Sequence, residues 1–121
     1  MSTHDDNSAN DLWNQARRVV AGYREATPAE VRAARGVRLI DVREPHEFDG
    51  ELGHIEGAEL VPLATVEAAS CAWDKAELLV MVCRSGNRSG RAAARLVTLG
   101  FQKVINMTGG MLEHSELSRM R

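Results

Sequence analysis

This 121-residue chain predicts an α/β fold, a parallel sheet covered on both faces by helices, and three observations carry the prediction. Leu78-Leu79-Val80-Met81-Val82 is continuously apolar, as a strand buried on both faces is. A polar, glycine-containing loop follows at once, Cys83 to Ser89, and from Arg88 to about Leu99 the composition turns helix-forming, with Ala92, Ala93, Leu96 and Val97 on one face. Short apolar runs and helical segments alternate along the rest of the chain, the pattern of strands joined by right-handed crossovers.

Taken in order, residues 1–8 are rich in polar side chains without periodicity and read as a disordered start. With Asn10 or Asp11 as N-cap, Leu12, Trp13, Ala16, Val19, Val20 and Tyr23 recur at helical spacing, which predicts an amphipathic helix to about Ala21 that packs its apolar face on the domain. Gly22 to Ala26 reads as a short edge strand. Thr27-Pro28-Ala29-Glu30 combines an N-cap, a proline at the first helical position and a glutamate at the third, so a short helix runs to Arg35 and stops at Gly36. Val37 to Val42 is a strand, and Arg43 to Gly57 is mostly loop with a turn of helix at Pro45 to Asp49. Ala58 to Val61 gives a short strand and Ala64 to Ser70 a weak helix. Glu77 to Val82 is the central strand, Gly100 stops the helix after it, Lys103 to Asn106 is the last strand, and residues 110–119 close the chain as a helix. The chain thus divides into residues 1–21, a polar segment with its helix, and a single domain over residues 22–121.

Composition narrows the function. With 44% hydrophobic residues the chain has enough apolar material for one core, and a formal charge of -2 gives no general attraction to nucleic acid or to a membrane surface. Lys75 and Lys103 are the only lysines, so isolated surface arginines carry little meaning and only those placed by a motif count. No stretch approaches the ~20 apolar residues of a membrane span, and the polar first residues are unlike a signal peptide. A cytoplasmic location is the expectation, and its reducing conditions suit a free thiol.

The chemistry lies in Cys83-Arg84-Ser85-Gly86-Asn87-Arg88-Ser89. A loop curling from a strand into a helix N-terminus turns backbone N–H groups inward, and those donors with the helix dipole favour an anion at their focus. Arg84 and Arg88 add two guanidinium groups. A thiol with a reference pKa near ~8.5 falls to roughly 3.5–7.5 in such surroundings, so Cys83 is expected to be a thiolate nucleophile at neutral pH. Gly86 permits the curl. The expectation fails if the Cys83 side chain is sealed away from solvent or if the surrounding amides point outward.

This loop resembles the active-site loop of single-domain rhodaneses. Leu39-Ile40-Asp41-Val42-Arg43-Glu44-Pro45 with Glu47-Phe48, then Gly53-His54-Ile55-Glu56-Gly57-Ala58 and Gly109-Gly110, are similar to the family's other motifs in order and spacing, over about residues 22–118. The resemblance implies a rhodanese-like three-layer fold with a central five-stranded parallel sheet, to which this chain adds the N-terminal helix. It also implies a thiosulfate sulfurtransferase without cofactor, in which Cys83 carries a sulfane sulfur as a persulfide. The substrates are then a small anionic sulfur donor and a thiol or cyanide acceptor, with a protein sulfur donor or acceptor as a further partner class. Arg84, Ser85, Gly86, Asn87, Arg88 and Ser89 are the expected donor-binding residues, with Arg88 aiming its fork at the anion and Arg84 at the rim. Asp41 and Arg43 are expected to brace the pocket. After Gly109-Gly110 the family commonly continues to a tryptophan, whereas Met111-Leu112-Glu113-His114-Ser115 follows here.

The four histidines show no metal-ligand spacing and neither cysteine has a Cys-x-x-Cys partner, so no metal is expected. His54 is expected to be structural. Cys71 is either a resolving partner for Cys83 or a buried structural thiol, and the second is favoured. Two other readings of the loop compete. A persulfide carrier loaded by a partner protein needs the same residues. A cysteine-based phosphatase or arsenate reductase places five residues between Cys and Arg, where Cys83 and Arg88 have four between them.

Overall fold

The computed structural model describes residues 4–120. A six-stranded sheet in the order β1-β2-β6-β5-β3-β4 forms its centre. The strands are β1 (Arg17–Arg18), β2 (Arg24–Ala26), β3 (Arg38–Asp41), β4 (Glu59–Leu60), β5 (Leu78–Val82) and β6 (Lys103–Met107). The helices are α1 (His4–Gln15), α2 (Pro28–Ala33), α3 (Pro45–Phe48), α4 (Val66–Ser70), α5 (Asn87–Thr98) and α6 (Gly110–Arg119), with a 3-10 turn at Leu63–Thr65 before α4. Five strands, β2, β6, β5, β3 and β4, are parallel to their neighbours, as expected, and β1 adds an antiparallel pair outside β2.

Alternation along the strands explains the layers. Leu79 and Met81 of β5 and Val104 of β6 face one side, where Ala92, Ala93 and Leu96 of α5 and Val66 of α4 pack with them. Val80 and Val82 of β5 and Ile105 and Met107 of β6 face the other side, against Leu12 and Ala16 near the end of α1, Val31 of α2 and Met111 of α6. Both faces of β5 are therefore covered, which is why that strand reads as an unbroken apolar run. Each fully buried aliphatic side chain contributes ~1.5–3 kcal/mol relative to exposure.

The capping signature of α2 forms as its sequence dictates. Thr27 Oγ1 accepts from the Glu30 N–H at 3.2 Å and Glu30 Oε1 accepts from the Thr27 N–H at 2.8 Å. Arg17 reaches Glu30 at 2.7 Å and ties β1 to the same helix.

The N-terminal helix departs from expectation at both ends. It begins at His4, inside the segment expected to be disordered, of which residues 1–3 lie outside the described residues. It ends at Gln15 rather than near Ala21. The Val19 N–H donates to Tyr23 O at 3.1 Å and the Gly22 N–H to Val19 O at 3.0 Å, so a turn and the β1–β2 ladder take the backbone bonds that a longer helix would use. Val20, placed on the apolar face by its spacing, sits fully exposed on that turn. Leu12 and Ala16 are buried, so the helix does pack on the domain. β2, expected at the sheet edge, is covered by β1.

Candidate active site

β5 ends at Val82, and Cys83 begins the connection to α5. Gly86 is the N-cap of α5 at φ +104° and ψ -9°, a conformation that glycine adopts without a Cβ penalty. It swings the chain back, so that the Gly86 N–H donates to Cys83 Sγ at 3.1 Å while Gly86 O accepts the Gly90 N–H at 3.1 Å to start the helix. The Ser89 hydroxyl, on the first turn of α5, lies 3.3 Å from the same sulfur. Burial pushes the Cys83 thiol up, but the Ser89 hydroxyl, in the orientation that faces the sulfur, and the backbone N–H groups of Ser89, Gly86 and Ser85 outweigh it, and the thiol titrates below its ordinary value. The amides point inward.

Access departs from the sequence reading, which requires the Cys83 side chain to be open to solvent. Cys83 keeps 1% of its surface exposed, with its sulfur at the floor of the loop. The reason is α6. The Met111 N–H donates to Cys83 O at 2.8 Å and the Leu112 N–H to Arg84 O at 3.0 Å, which lays the start of the helix along the loop. That approach needs Gly110, at φ +57°, because a Cβ there would run into the Cys83 and Arg84 carbonyls. Gly109-Gly110 thus belongs to the site through backbone contact.

Arg84, Ser85 and Asn87 are exposed on the rim, and the Arg84 side chain makes no hydrogen bond or ion pair among the described residues. A hollow of about 180 Å³ opens beside it, and its lining holds both charges, Arg43 and Arg84 with Glu47 and Glu51. Arg88 is placed otherwise. Its fork is closed on Glu47, with Nη1 to Oε1 at 2.7 Å and Nη2 to Oε2 at 2.8 Å. This pair, first, and then the N–H of Glu44 hold the Glu47 carboxyl down to about 2 against the cost of burial. The Arg88 guanidinium rises correspondingly, with the Cys83 charge a smaller contributor.

Asp41 and Arg43 are buried and bonded to each other, Nε to Oδ1 at 2.9 Å and Nη2 to Oδ2 at 2.8 Å. Arg43 also donates to Glu47 O at 3.2 Å and Gly53 O at 2.7 Å. The end of β3 therefore fixes the loop that carries Glu47, and Glu47 fixes Arg88. His54 lies in that loop, its ring stacked on Phe48 at 3.6 Å and its Nδ1 2.9 Å from Phe48 O.

Asn106, in β6, is the residue the sequence reading missed. Its Oδ1 is 2.5 Å from Ser89 Oγ, a buried contact, and its Nδ2 donates to Gly86 O at 3.2 Å in a half-buried one. Glu47 is the other, present in a recognised motif but without an assigned partner. Cys71 is exposed rather than buried, because it caps the C-terminus of the short helix α4 on the outside of the domain. Among the described residues no three His, Cys, Asp or Glu side chains are grouped to hold a metal, and no helix is long and apolar enough to cross a membrane.

The comparisons with known proteins agree with this geometry. GlpE of Pseudomonas aeruginosa, named as a thiosulfate sulfurtransferase, is 34% identical over 90 residues, covering 73% of this chain and 80% of that protein. YrkF of Bacillus subtilis, named as a putative sulfur carrier protein, is 36% identical over 87 residues, 72% of this chain and 46% of that protein, so the chain spans less than half of YrkF, as it does of some other curated relatives. Among solved structures, a rhodanese-like domain protein from Staphylococcus aureus superposes with a TM-score of 0.67 at 28% identity, over 74% of this chain and 89% of that one. The rhodanese-like domain model matches residues 27–116, and with the cysteine loop, the parallel sheet and these relatives in view, the chain belongs to the rhodanese-like domain family.

Proposed function

We propose that this protein is a sulfurtransferase that moves a sulfane sulfur from thiosulfate, or a similar anionic donor, to cyanide or a thiol through a persulfide on Cys83. The supporting observation is the Cys83 sulfur itself, met by the Gly86 N–H at 3.1 Å and held below its ordinary pKa by three backbone amides and a hydroxyl. In the first half-reaction the Cys83 thiolate attacks the outer sulfur of thiosulfate. A new S–S bond forms at Sγ, the donor's S–S bond breaks, and sulfite leaves with the electron pair. In the second, cyanide or a thiolate attacks the terminal sulfur, and the Cys83 thiolate departs with the electrons of the persulfide bond. The loop amides stabilise anionic sulfur in both states, as preorganised donors do for oxyanions. Arg84, exposed and unpaired at the mouth, attracts the dianionic donor. Ser85, Gly86 and Asn87 supply the loop backbone around it, Arg88 contributes charge while bound to Glu47, and Asp41 with Arg43 braces the wall.

Incubation with thiosulfate should raise the mass of the protein by about one sulfur atom, which cyanide should remove and Cys83→Ser should abolish. An unchanged mass overturns the thiosulfate reading. A carrier loaded by a partner is the second reading, supported by the name of YrkF, a putative sulfur carrier protein. Slow loading by thiosulfate with fast loading by a cysteine desulfurase would select it. Phosphatase chemistry gains no support, since the arginine fork it needs is occupied by Glu47. A cytoplasmic location and small-molecule rather than nucleic-acid or membrane partners belong to the same proposal.

A further inference from the structure

One proton faces two acceptors beside the reactive sulfur. Ser89 Oγ carries a single hydrogen, and it lies 2.5 Å from Asn106 Oδ1 and 3.3 Å from Cys83 Sγ. The orientation of the Asn106 amide follows from its other end. Gly86 O only accepts, so the group 3.2 Å from it must be the NH2, and the carbonyl oxygen must face Ser89. Two oxygens at 2.5 Å require a proton between them, and only Ser89 has one to give. With the hydroxyl turned to Asn106, Ser89 presents a lone pair to Cys83, which suits a thiol that donates its S–H and opposes a thiolate. Turning the hydroxyl to the sulfur satisfies the thiolate but leaves Asn106 Oδ1 without a donor in a side chain that is 3% exposed, where an unmet acceptor is costly.

We propose that Asn106 is a positioning residue that competes with Cys83 for the Ser89 hydroxyl proton and so restrains ionisation of the sulfur. The strand register supports this role. Val104 and Asn106 share the β6 face under α5, and Gly90, at the first turn, leaves room for the amide, since a Cβ there would stand 3.4 Å from Asn106 Nδ2. Gly86 and Ser85 amides stabilise the thiolate whichever way the hydroxyl turns. Only the hydroxyl's contribution is contested, which makes it a movable element between resting and ionised sulfur. The inference takes Cys83 to be the reactive group of the proposed transfer, but it concerns the ionisation of that sulfur without donor or acceptor.

The experiment is a titration of the Cys83 thiolate by ultraviolet absorbance in a Cys71→Ser background, with folding checked by thermal melting. Asn106→Val removes the competing acceptor and should raise the ionisation constant of Cys83 roughly three- to tenfold, the worth of one hydrogen bond. Ser89→Ala alone should lower it less than threefold, because the hydroxyl it removes is already shared. In the Ser89→Ala background Asn106→Val should have no effect. Asn106→Ala serves if the valine variant does not fold, and the Ser89→Ala shift tests the idea with Asn106 in place. A lower ionisation constant in Asn106→Val, the same shift with and without Ser89, or a tenfold or larger loss in Ser89→Ala alone would overturn the proposal and leave Asn106 as a brace for Gly86. Failure of thiosulfate loading would count against the sulfurtransferase reading without touching this titration.

Discussion

Arg88 closes both arms of its fork on Glu47, at 2.7 and 2.8 Å, across 41 positions of sequence. The pair couples the loop after β3 to the first turn of α5, so its ionisation is linked to stability. Glu47 titrates at about 2 in the folded protein against an ordinary 4.5. A depressed carboxyl stabilises the fold above its unfolded pKa and loses that contribution as pH falls through the folded one. Acid should therefore erode stability between about pH 4.5 and pH 2 by on the order of 2 kcal/mol, allowing for solvent screening of a partly exposed pair. Glu47→Gln should flatten that segment of the urea-melt pH profile. An unchanged profile would show that the pair contributes nothing.

Gly86 should be irreplaceable for chemistry as well as for shape. Alanine at φ +104° costs ~1–2 kcal/mol, and its Cβ would meet the Gly109 backbone nitrogen at 3.4 Å. Relief of the backbone strain moves the Gly86 N–H off the sulfur. The pH midpoint of iodoacetamide alkylation at Cys83, below the ordinary thiol value of ~8.5 in the parent, should rise in Gly86→Ala. A midpoint unchanged from the parent would detach this amide from thiolate stabilisation.

These two residues show what the sequence displays and what it hides. Gly86 was legible because a glycine between a strand and a helix start has a local cause. The Arg88 partner was not, because the sequence near Arg88 is silent about a carboxylate 41 residues away. Asn106 is 17 residues from Ser89 and 20 from Gly86, and an asparagine ending a strand has no local mark of burial. The layers were legible from β5, whose apolar run needs cover on both faces. The end of the N-terminal helix is hidden because Val19, Val20 and Tyr23 keep helical spacing while the backbone turns there. Cys71 was misplaced because cysteine is usually buried, whereas a five-residue helix at the surface offers no cover.

Asp41 and Arg43 should dominate stability among the polar residues. The bonds between them are buried, and Asp41→Asn takes from the Arg43 guanidinium the carboxylate it is bonded to. Breaking a buried pair by removing one partner costs about 3–5 kcal/mol, far above the surface pair of Arg95 with Glu67. Asp41→Asn should lower the unfolding free energy read from urea melts by that amount, while Glu67→Gln should leave the melt almost unmoved. Equal effects would mean that the pair does not brace the loop.

The two cysteines should separate by reagent size. Cys71 is exposed, with its Sγ 3.7 Å from Glu67 O on the outside of α4, and should react with a bulky maleimide as fast as a free thiol. Cys83 combines a depressed pKa with 1% exposure, so iodoacetamide should modify it readily near neutral pH while the maleimide lags by at least about tenfold relative to Cys71. Peptide mapping after each reagent reads the ratio. If the maleimide labels both sites equally, the start of α6 does not restrict the loop, and the Met111 and Leu112 amides must leave the Cys83 and Arg84 carbonyls often enough to open it. Cys71→Ser should leave sulfur loading at Cys83 unchanged, because a thiol outside α4 has no part in the amide-lined loop.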